Sequence, residues 1–309
     1  MSNPDISIVI RTLNEERYLR DLLGGIQDQR TDFTYEIVLI DSGSTDNTLS
    51  IANEYGCKIL HISREEFSFG RSLNRACEVS QGKFLVFVSG HCTPYDRAWL
   101  QNLVEPLKAG KAQYCYGRQL GGSHTYWSES QIFLKYFPEQ SSLPQEGFYC
   151  NNANSALLTE VWRRYKFDEE LTGLEDMHLA KRLVANQGLV GYAGDACVYH
   201  LHNETWKQIQ RRFEREALAL QQISPEILLR RRDIVRYFNR AVLGDIIKDI
   251  PNALNPVNVY KIVRYRFHQY LGSYIGNHRH KKVSSELRDT YFYPSPAKGL
   301  PLTSTTLKS

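Results

Sequence analysis

Before residue 204, short apolar runs alternate with amphipathic segments along the chain. Near-continuous apolar runs are typical of strands buried on both faces, and the intervening segments repeat apolar residues at helical spacing. This alternation predicts an α/β fold with a mostly parallel sheet flanked by helices. The predicted strands are 6–10, 36–41, 58–62, 83–88 and 113–117, and the predicted helices are 15–29, 49–55, 73–79 and 99–107.

Polar residues collect where three of these strands end. The segments are Arg11–Glu15, Asp41–Asp46 and Ser89–His91. Because ligands of open parallel sheets bind beyond the carboxyl ends of the strands, the three segments predict one ligand-binding crevice. For Asp41–Asp46 an ordinary strand-to-helix turn is an open alternative, with Gly43 at positive φ. The chain has neither a GxGxxG motif nor a P-loop, which argues against those two nucleotide-binding modes.

Polar residues also mark three predicted helix starts. Asn14 is expected to cap the helix 15–29, and Thr205 with Gln208 has the spacing of a capping box. Glu175 and Asp176 open a further predicted helix, where the helix dipole favours carboxylates. Taken by itself, this last pair is predicted to be structural.

The composition is that of an ordinary soluble globular protein. The 309 residues are 42% apolar and 23% charged, which predicts one or two domains. The six cysteines form no CxxC pair and the N-terminus does not resemble a signal peptide, so we expect a reducing, cytoplasmic location without a disulfide framework. No apolar run approaches the roughly 18 residues that span a bilayer.

Charge divides the chain near residue 203. Residues 204–309 hold 19 of the 38 Lys/Arg but only 9 of the 34 Asp/Glu, a net charge of +10 against −6 for residues 1–203. We therefore predict an α/β domain at 1–203, a basic amphipathic helical extension at 204–293 and a disordered tail at 294–309.

Two partners for the basic extension stay open. Basic amphipathic helices are typical of the anionic membrane interface, which predicts peripheral contact with the inner face of the cytoplasmic membrane. Helices that pack on their own domain or on a second subunit, as in a homodimer, have the same pattern. Nucleic acid is disfavoured as a partner because no nucleic-acid-binding module is visible.

Four segments, in this order, carry a family resemblance. They are ISIVIRTLNEERYLRDLLGGI, YEIVLIDSGSTDNTLSIANEYG, GRSLNRACEVSQGKFLVFVSGHCTPYDRAWLQNL and GLEDMHLAKRL. Across residues 5–215 the chain resembles the family 2 inverting glycosyltransferases of GT-A fold, whose nucleotide-binding half is Rossmann-like. The resemblance implies transfer of a sugar from a nucleotide-diphosphate donor to a hydroxyl of a glycan or lipid-linked acceptor, as in bacterial surface-glycan synthesis.

The resemblance also implies donor-binding residues. Thr12, Asn14 and Glu15 match the loop that touches the nucleotide, and Asp41 matches the acidic residue that accepts a hydrogen bond from the base. Arg71 matches a basic position near the diphosphate, although a solvated surface arginine is an equal alternative. Asp46 is predicted to cap a helix instead of binding donor.

At Ser89–His91 the chain departs from the family. Many members have Asp-x-Asp here, the first Asp meeting the ribose and the second binding a divalent cation, whereas this chain has Ser89 and His91. His200 and His202 follow an apolar run two residues apart, where strand alternation points both rings to one face. The three histidines could hold Mn²⁺ more readily than Mg²⁺, which prefers oxygen ligands. The alternative is that they bind the diphosphate or local backbone without a metal.

The catalytic base is also assigned through the resemblance. Asp176 matches the family's general base, and Glu175 is expected to orient the acceptor. The segment 118–162 is expected to form a mobile loop and an acceptor-side wall. Candidate sugar contacts are Gly117–Gln119 and Asn151–Asn152.

One further mismatch bears on the type of reaction. Gln208–Arg212 resembles the family's QxxRW element with Arg212 where Trp is usual, which favours single addition over processive synthesis. Two other function classes stay open. They are a catalytically silent nucleotide-sugar-binding assembly module, suggested by Ser89 and His91, and a metallohydrolase built on the histidines, which lacks a recognisable carboxylate pattern.

Overall fold

A computed structural model describes residues 3–248, 255–279 and 291–292. The strands are β1 (Ile6–Thr12), β2 (Tyr35–Asp41), β3 (Lys58–His61), β4 (Phe84–Ser89), β5 (Cys92–Pro94), β6 (Tyr114–Leu120), β7 (Asn154–Leu158) and β8 (Val190–His200). The helices are α1 (Glu16–Gln27), α2 (Thr48–Glu54), α3 (Phe69–Val79), α4 (Trp99–Lys108), α5 (Trp127–Tyr136), α6 (Thr159–Tyr165), α7 (Glu175–Ala185), α8 (Trp206–Ile223), α9 (Arg231–Lys248) and α10 (Pro256–Asn277).

The eight strands form one sheet in the order β3-β2-β1-β4-β7-β6-β8-β5. The pairs β3–β2, β2–β1, β1–β4 and β6–β8 are parallel, while β7 runs antiparallel to both of its neighbours. This confirms the predicted α/β fold with a mostly parallel sheet and a helical extension. Because β1 lies between β2 and β4, their carboxyl ends meet at one edge, as the sequence predicted.

Apolar side chains alternate between the two faces of the sheet. Along β1, Ile8 and Ile10 belong to one buried cluster with α1 and α4, whereas Val9 belongs to the opposite cluster with α3, α6 and α7. A strand side-chain period of two produces this division. The sheet is therefore buried on both sides, and its polar residues are left at the strand ends.

Asn14 does not cap α1, so that prediction is wrong. Its backbone has φ +56°, and its side-chain oxygen accepts a hydrogen bond from the backbone amide of Thr45 at 2.8 Å. The N-cap position is occupied by Glu15. Asn tolerates this left-handed conformation, and the side chain serves the neighbouring turn instead of its own helix.

The segment 118–162 is more regular than expected. It contains the end of β6, the helix α5, the antiparallel strand β7 and the start of α6. The short strand β5, which pairs antiparallel with β8, also escaped the sequence prediction. The strands β5 and β7 have only three and five residues, too few to show a clear period.

The basic extension is built around two close helix contacts. A Cβ on Gly272 or Gly276 of α10 would lie 2.3 or 2.0 Å from the backbone oxygens of Gln210 or Glu214 of α8, so only glycine permits this approach. Between α9 and α10, Arg266 donates two hydrogen bonds to Asp245 at 2.7 and 2.8 Å, and both side chains are buried. The predicted capping box at Thr205 and Gln208 is confirmed.

None of the helices in the described part of the chain combines the length and the apolarity needed to cross a bilayer. The predicted disordered tail, 294–309, lies outside the described residues. The boundary near residue 203 falls between β8 and α8 and stays a prediction.

Candidate active site

The carboxyl ends of β1 and β2 are joined through Asp41. Its carboxylate accepts hydrogen bonds from the Thr12 hydroxyl at 2.9 Å, from the backbone amides of Gly43 and Ser44, and from the Ser44 hydroxyl. Asp41 is 1% exposed. The bonds fix this carboxylate at the strand end where the nucleotide-binding role was predicted.

Asp46 serves the two helices that leave this edge. Its carboxylate accepts hydrogen bonds from the backbone amides of Glu16 at 3.1 Å and Thr48 at 3.0 Å, the first residues of α1 and α2. An N-terminal carboxylate satisfies free amide groups and complements the helix dipole. This geometry matches the predicted capping role.

Three histidines meet beyond the ends of β4 and β8, and we call His91, His200 and His202 the histidine cluster. The antiparallel pairing of β5 with β8 aligns Cys92 with His200 and so brings His91 alongside. The Nε2 atoms of His91 and His200 are 3.1 Å apart, and one ligand atom from each of the three rings lies within 4.8 Å of the others. The predicted grouping of the three rings is present.

Each Nδ1 atom of the histidine cluster is hydrogen-bonded to a side-chain oxygen. The three pairs are His91 with Glu15 at 2.8 Å, His200 with Gln119 at 2.7 Å and His202 with Glu129 at 2.8 Å. Such contacts orient the imidazole rings and leave the Nε2 atoms as electron-pair donors. Oxygen partners of this kind are the usual outer shell of a metal site. The donor set therefore fits a divalent first-row cation better than Mg²⁺.

The charges around these rings differ. Burial opposes protonation of His91, but the Glu15 carboxylate outweighs it and raises the pKa of His91. Burial and the neighbouring histidines hold the pKa of His200 well below its usual value. Without a cation, His91 can thus carry the proton that joins its Nε2 to the neutral His200.

Glu129 and Arg212 complete the support of the histidine cluster. Burial disfavours the ionised carboxylate of Glu129, yet His202 and Arg212 lower its pKa to about 2. The Arg212 guanidinium donates to Glu129 at 2.7 Å and to both oxygens of Glu204. Arg212 occupies the position where the family usually has Trp, so the mismatch noted in the sequence has a local electrostatic role.

Asp176 and Glu175 begin α7, buried beside the end of β1. Asp176 accepts hydrogen bonds at 2.7 Å from the backbone amides of Asn152 and Met177. Burial and the nearby Glu175 charge raise the pKa of Asp176 to about 7. Glu175 accepts a hydrogen bond from Arg11 Nη1 at 3.2 Å, which connects this helix start to β1.

Asn151 and Asn152 lie between the carboxylate pair and the histidine cluster. Asn151 accepts a hydrogen bond from Gln119 Nε2 at 3.1 Å, and Gln119 in turn contacts His200. The side-chain amide nitrogen of Asn152 is buried without a hydrogen-bond partner among the described residues. Gln119 is 1% exposed and orients a histidine, whereas the Asn152 amide keeps a donor free for a ligand.

Two predicted donor-binding residues lie further along this edge. Arg71 pairs with Glu169 at 2.7 Å and donates to the backbone oxygen of Glu66. Ser89 ends β4, half-buried, with its backbone amide bonded to the Ala153 oxygen. Their contacts to a donor stay predictions.

Residues 7–165 match the model of Glycosyl transferase family 2. The chain belongs to glycosyl transferase family 2. This membership confirms the identification as a glycosyltransferase that the sequence motifs suggested. The residues at the ends of β1, β2 and β4 lie inside the matched range, whereas α7, His200 and His202 lie beyond it.

Named relatives of this glycosyltransferase act on different sugars. It is 26% identical over 200 residues to the O-antigen chain rhamnosyltransferase WbaN of Salmonella anatum, covering 60% of this chain and 63% of the relative. It is 35% identical over 203 residues to the poly(ribitol-phosphate) beta-N-acetylglucosaminyltransferase TarS of Staphylococcus aureus, covering 63% of this chain and 35% of TarS. The chain thus spans less than two thirds of either relative.

A solved structure confirms the GT-A glycosyltransferase fold. The mannosyltransferase PcManGT of Pyrobaculum calidifontis, in complex with GDP-Man and Mn²⁺, superposes with a TM-score of 0.57 at 17% identity. The alignment covers 87% of this chain and 74% of PcManGT, so the shared fold extends into the helices after β8.

Proposed function

We propose that this glycosyltransferase inverts the anomeric centre of a nucleotide-diphosphate sugar by direct displacement, with Asp176 as the general base. An acceptor hydroxyl loses its proton to Asp176 while its oxygen bonds to the anomeric carbon. The bond from that carbon to the diphosphate oxygen breaks, and its electron pair leaves with the nucleoside diphosphate. Atoms and charge balance without any other reactant.

The observation that carries this proposal is the environment of Asp176. It is a buried carboxyl with two backbone amide donors and a pKa raised to about 7. A base with a pKa near the working pH combines a sizeable deprotonated fraction with enough basicity to accept a proton. Glu175, held by Arg11, is assigned to orient the acceptor hydroxyl.

The donor is assigned to the crevice at the ends of β1, β2 and β4. Thr12, Asn14 and Asp41 would hold the nucleotide, with Ser89 at the ribose. Arg71 would give up part of its ion pair with Glu169 and bind the diphosphate instead. A guanidinium binds carboxylates and phosphates with the same fork of N–H donors. Glu15 would contribute to donor binding indirectly, because its carboxylate is hydrogen-bonded to His91.

The histidine cluster is assigned to a divalent cation. His91, His200 and His202 would hold it through Nε2, and the cation would offset the charge of the departing diphosphate. The anchored Nδ1 atoms support this assignment, and PcManGT of the same fold is complexed with Mn²⁺. Mg²⁺ is disfavoured because it prefers oxygen ligands.

The acceptor is assigned to a membrane-borne or soluble glycan, with α9 and α10 touching the membrane. Large apolar side chains are exposed beside arginines and lysines on both helices. They include Val235, Leu243 and Ile247 on α9, and Val257, Tyr260 and Phe267 on α10. Exposed apolar groups interleaved with positive charge complement an anionic lipid surface.

A panel of nucleotide sugars with Mn²⁺ tests the proposal. We expect one donor to release its nucleoside diphosphate faster than the others, slowly with water and faster when a glycan acceptor is added. A silent binding module would release nucleotide from none of them. A hydrolase would release it at a rate that acceptors do not increase, and either result would overturn the transferase assignment.

A further inference from the structure

The last described residues of the chain pack against the start of α3, next to the candidate active site. Tyr291 and Phe292 are 3% and 7% exposed. The Phe292 ring makes edge contacts with Phe67 and Phe69 at centroid distances of 5.4 and 5.2 Å, and Phe67 contacts Phe69 at 5.5 Å. Aromatic pairs with this geometry are favourable beyond the apolar area that they bury. The three rings therefore hold the position of Phe69, the first residue of α3.

Tyr291 fixes this part of the chain to α8 and to the residues that follow α10. Its hydroxyl donates a hydrogen bond to Glu214 at 2.9 Å and accepts one from Arg279 at 2.6 Å. Arg279 also forms an ion pair with Glu214, and the backbone oxygen of Tyr291 accepts a hydrogen bond from Arg215 at 3.4 Å. Because the buried hydroxyl is satisfied both as donor and as acceptor, the neighbouring Phe292 is held on a fixed backbone.

Phe69 carries two guanidinium groups over its ring. Those of Arg11 and Arg215 each lie 4.6 Å from the ring centroid. A cation over an aromatic face is attracted by the ring quadrupole, and the attraction is stronger where water is excluded. Arg11 also donates a hydrogen bond to the backbone oxygen of Phe69 at 3.3 Å. The ring and backbone of this one residue thus support two positive charges.

Both guanidinium groups lie close to the carboxylate pair that begins α7. Arg11 donates a hydrogen bond to Glu175, and its positive charge opposes the rise in the pKa of Asp176. The backbone oxygen of Arg215 accepts a hydrogen bond at 3.3 Å from the hydroxyl of Thr172, in the segment that leads into α7. The placement of Phe69 therefore bears on the charge around Asp176.

Three further titratable groups lie near Asp176 but add no charge at neutral pH. Burial raises the pKa of the Tyr114, Tyr149 and Cys150 side chains well above their usual values. Each of these side chains stays neutral while Asp176 titrates. The charge of Arg11 is thus the one that opposes the charge of Glu175 at this carboxyl.

We propose that Phe292 is a positioning residue for the catalytic carboxylates, an inference that rests on the transferase function proposed above. Phe292 holds the Phe69 ring, and Phe69 holds Arg11 beside Glu175. The last described residues of the chain thereby keep a positive charge next to the general base. Because Phe292 acts through two other side chains, loss of its ring should change the protonation of Asp176 while the reacting groups all stay in the protein.

The pH dependence of kcat/KM in Phe292→Ala, with Mn²⁺ saturating throughout, tests this role. A loosened Arg11 favours ionised Asp176 less, so the pKa of Asp176 rises and the acid limb should move to higher pH. We expect kcat/KM about threefold below the wild-type value near pH 6, and close to it near pH 9, where the base is ionised in both proteins. Phe292→Leu refills most of the volume and should recover most of the difference.

Phe33→Ala is the matched control for loss of a buried phenyl ring. Phe33 is 9% exposed and makes an edge contact with Phe84 in the apolar cluster on the other face of the sheet. Both alanine variants leave a cavity and should lower the urea midpoint. Phe33→Ala should nevertheless keep the wild-type acid limb, because its cavity lies away from Phe69.

Phe69→Leu tests the next step even if Phe292→Ala fails to fold. It keeps an apolar side chain of similar size but removes the ring that carries both guanidinium groups, so its acid limb should also move to higher pH. A wild-type limb in Phe69→Leu or in folded Phe292→Ala, or an equal shift in Phe33→Ala, would overturn the positioning role. Those results would leave acceptor-dependent transfer by the wild type intact, whereas no transfer by the wild type would overturn the transferase proposal and this inference with it.

Discussion

The Nε2 atoms of His91 and His200 lie 3.1 Å apart, with their rings stacked at a centroid distance of 5.0 Å. Each ring directs Nδ1 to an oxygen acceptor, which places the lone pair of the neutral ring on Nε2. Two such lone pairs repel unless a proton or a cation lies between them. The divalent cation proposed for the histidine cluster would therefore take the place of one proton.

Removing one of these rings should weaken cation binding. For His200→Ala we expect the Mn²⁺ dissociation constant to rise by more than about tenfold, because loss of even an outer-shell partner costs about 10- to 100-fold in metal affinity. Titration calorimetry measures this change. His61→Ala, which removes an exposed histidine at the end of β3, is the control and should bind Mn²⁺ as the wild type does. Equal Mn²⁺ affinity in both variants would contradict the metal assignment.

The pH dependence of transfer should report Asp176. Its pKa of about 7 means that acid converts the base to a carboxylic acid that cannot accept a proton, so kcat/KM should fall as the pH drops below about 7. Glu175→Gln removes the adjacent negative charge and leaves Arg11 unpaired. Both changes favour ionised Asp176 and should move the acid limb to lower pH, with Mn²⁺ saturating throughout. A limb that stays in place or moves to higher pH would argue against Asp176 as the titrating group.

The buried pair Asp245–Arg266 should matter for the stability of the helical extension. Asp245→Ala leaves a buried guanidinium without its partner, which should lower the free energy of unfolding by about 3–5 kcal/mol. The double variant Asp245→Leu/Arg266→Met should recover most of this loss, because apolar side chains of similar size need no partner. Urea unfolding measures both effects. A single variant as stable as the wild type would show that the pair is solvated in solution.

Membrane contact through α9 should depend on its exposed apolar residues. Ile247 is 65% exposed, and Ile247→Glu puts a negative charge where the proposal places lipid. We expect weaker sedimentation with anionic phosphatidylserine vesicles and no binding of either protein to neutral phosphatidylcholine vesicles. Leu189→Glu, at an exposed leucine outside the extension, should bind as the wild type does. Vesicle binding by Ile247→Glu equal to that of the wild type would contradict membrane contact through this part of α9, and no vesicle binding by the wild type would favour a protein partner such as a second copy.

The sequence predicted those parts of the fold that local pattern determines. β1, β2 and β4 are apolar runs that continue through the sheet, and their polar ends converge because parallel neighbours share an edge. Asn14 was assigned wrongly because a local capping preference competes with a bond to Thr45, 31 residues away. The three-residue strand β5 is too short to show a period.

The support around the histidine cluster could not be predicted from local pattern. Glu129 is 73 residues from His202 and 83 from Arg212 in the sequence, and only the packing of α5 against β8 and α8 brings them together. Gln119 was predicted to contact sugar, yet the strand β6 directs it toward His200. The three ring positions were visible as a strand end followed by a His-x-His pair.

The comparison of wild type with Asp176→Asn tests the central assignment most directly. With the preferred donor and Mn²⁺, we expect the variant to bind donor with unchanged affinity in calorimetry. Release of nucleoside diphosphate in the presence of acceptor should fall by about 10²- to 10⁴-fold, the usual contribution of a general base. Lost release with intact donor binding is the predicted result. Release near the wild-type rate would contradict Asp176 as the base.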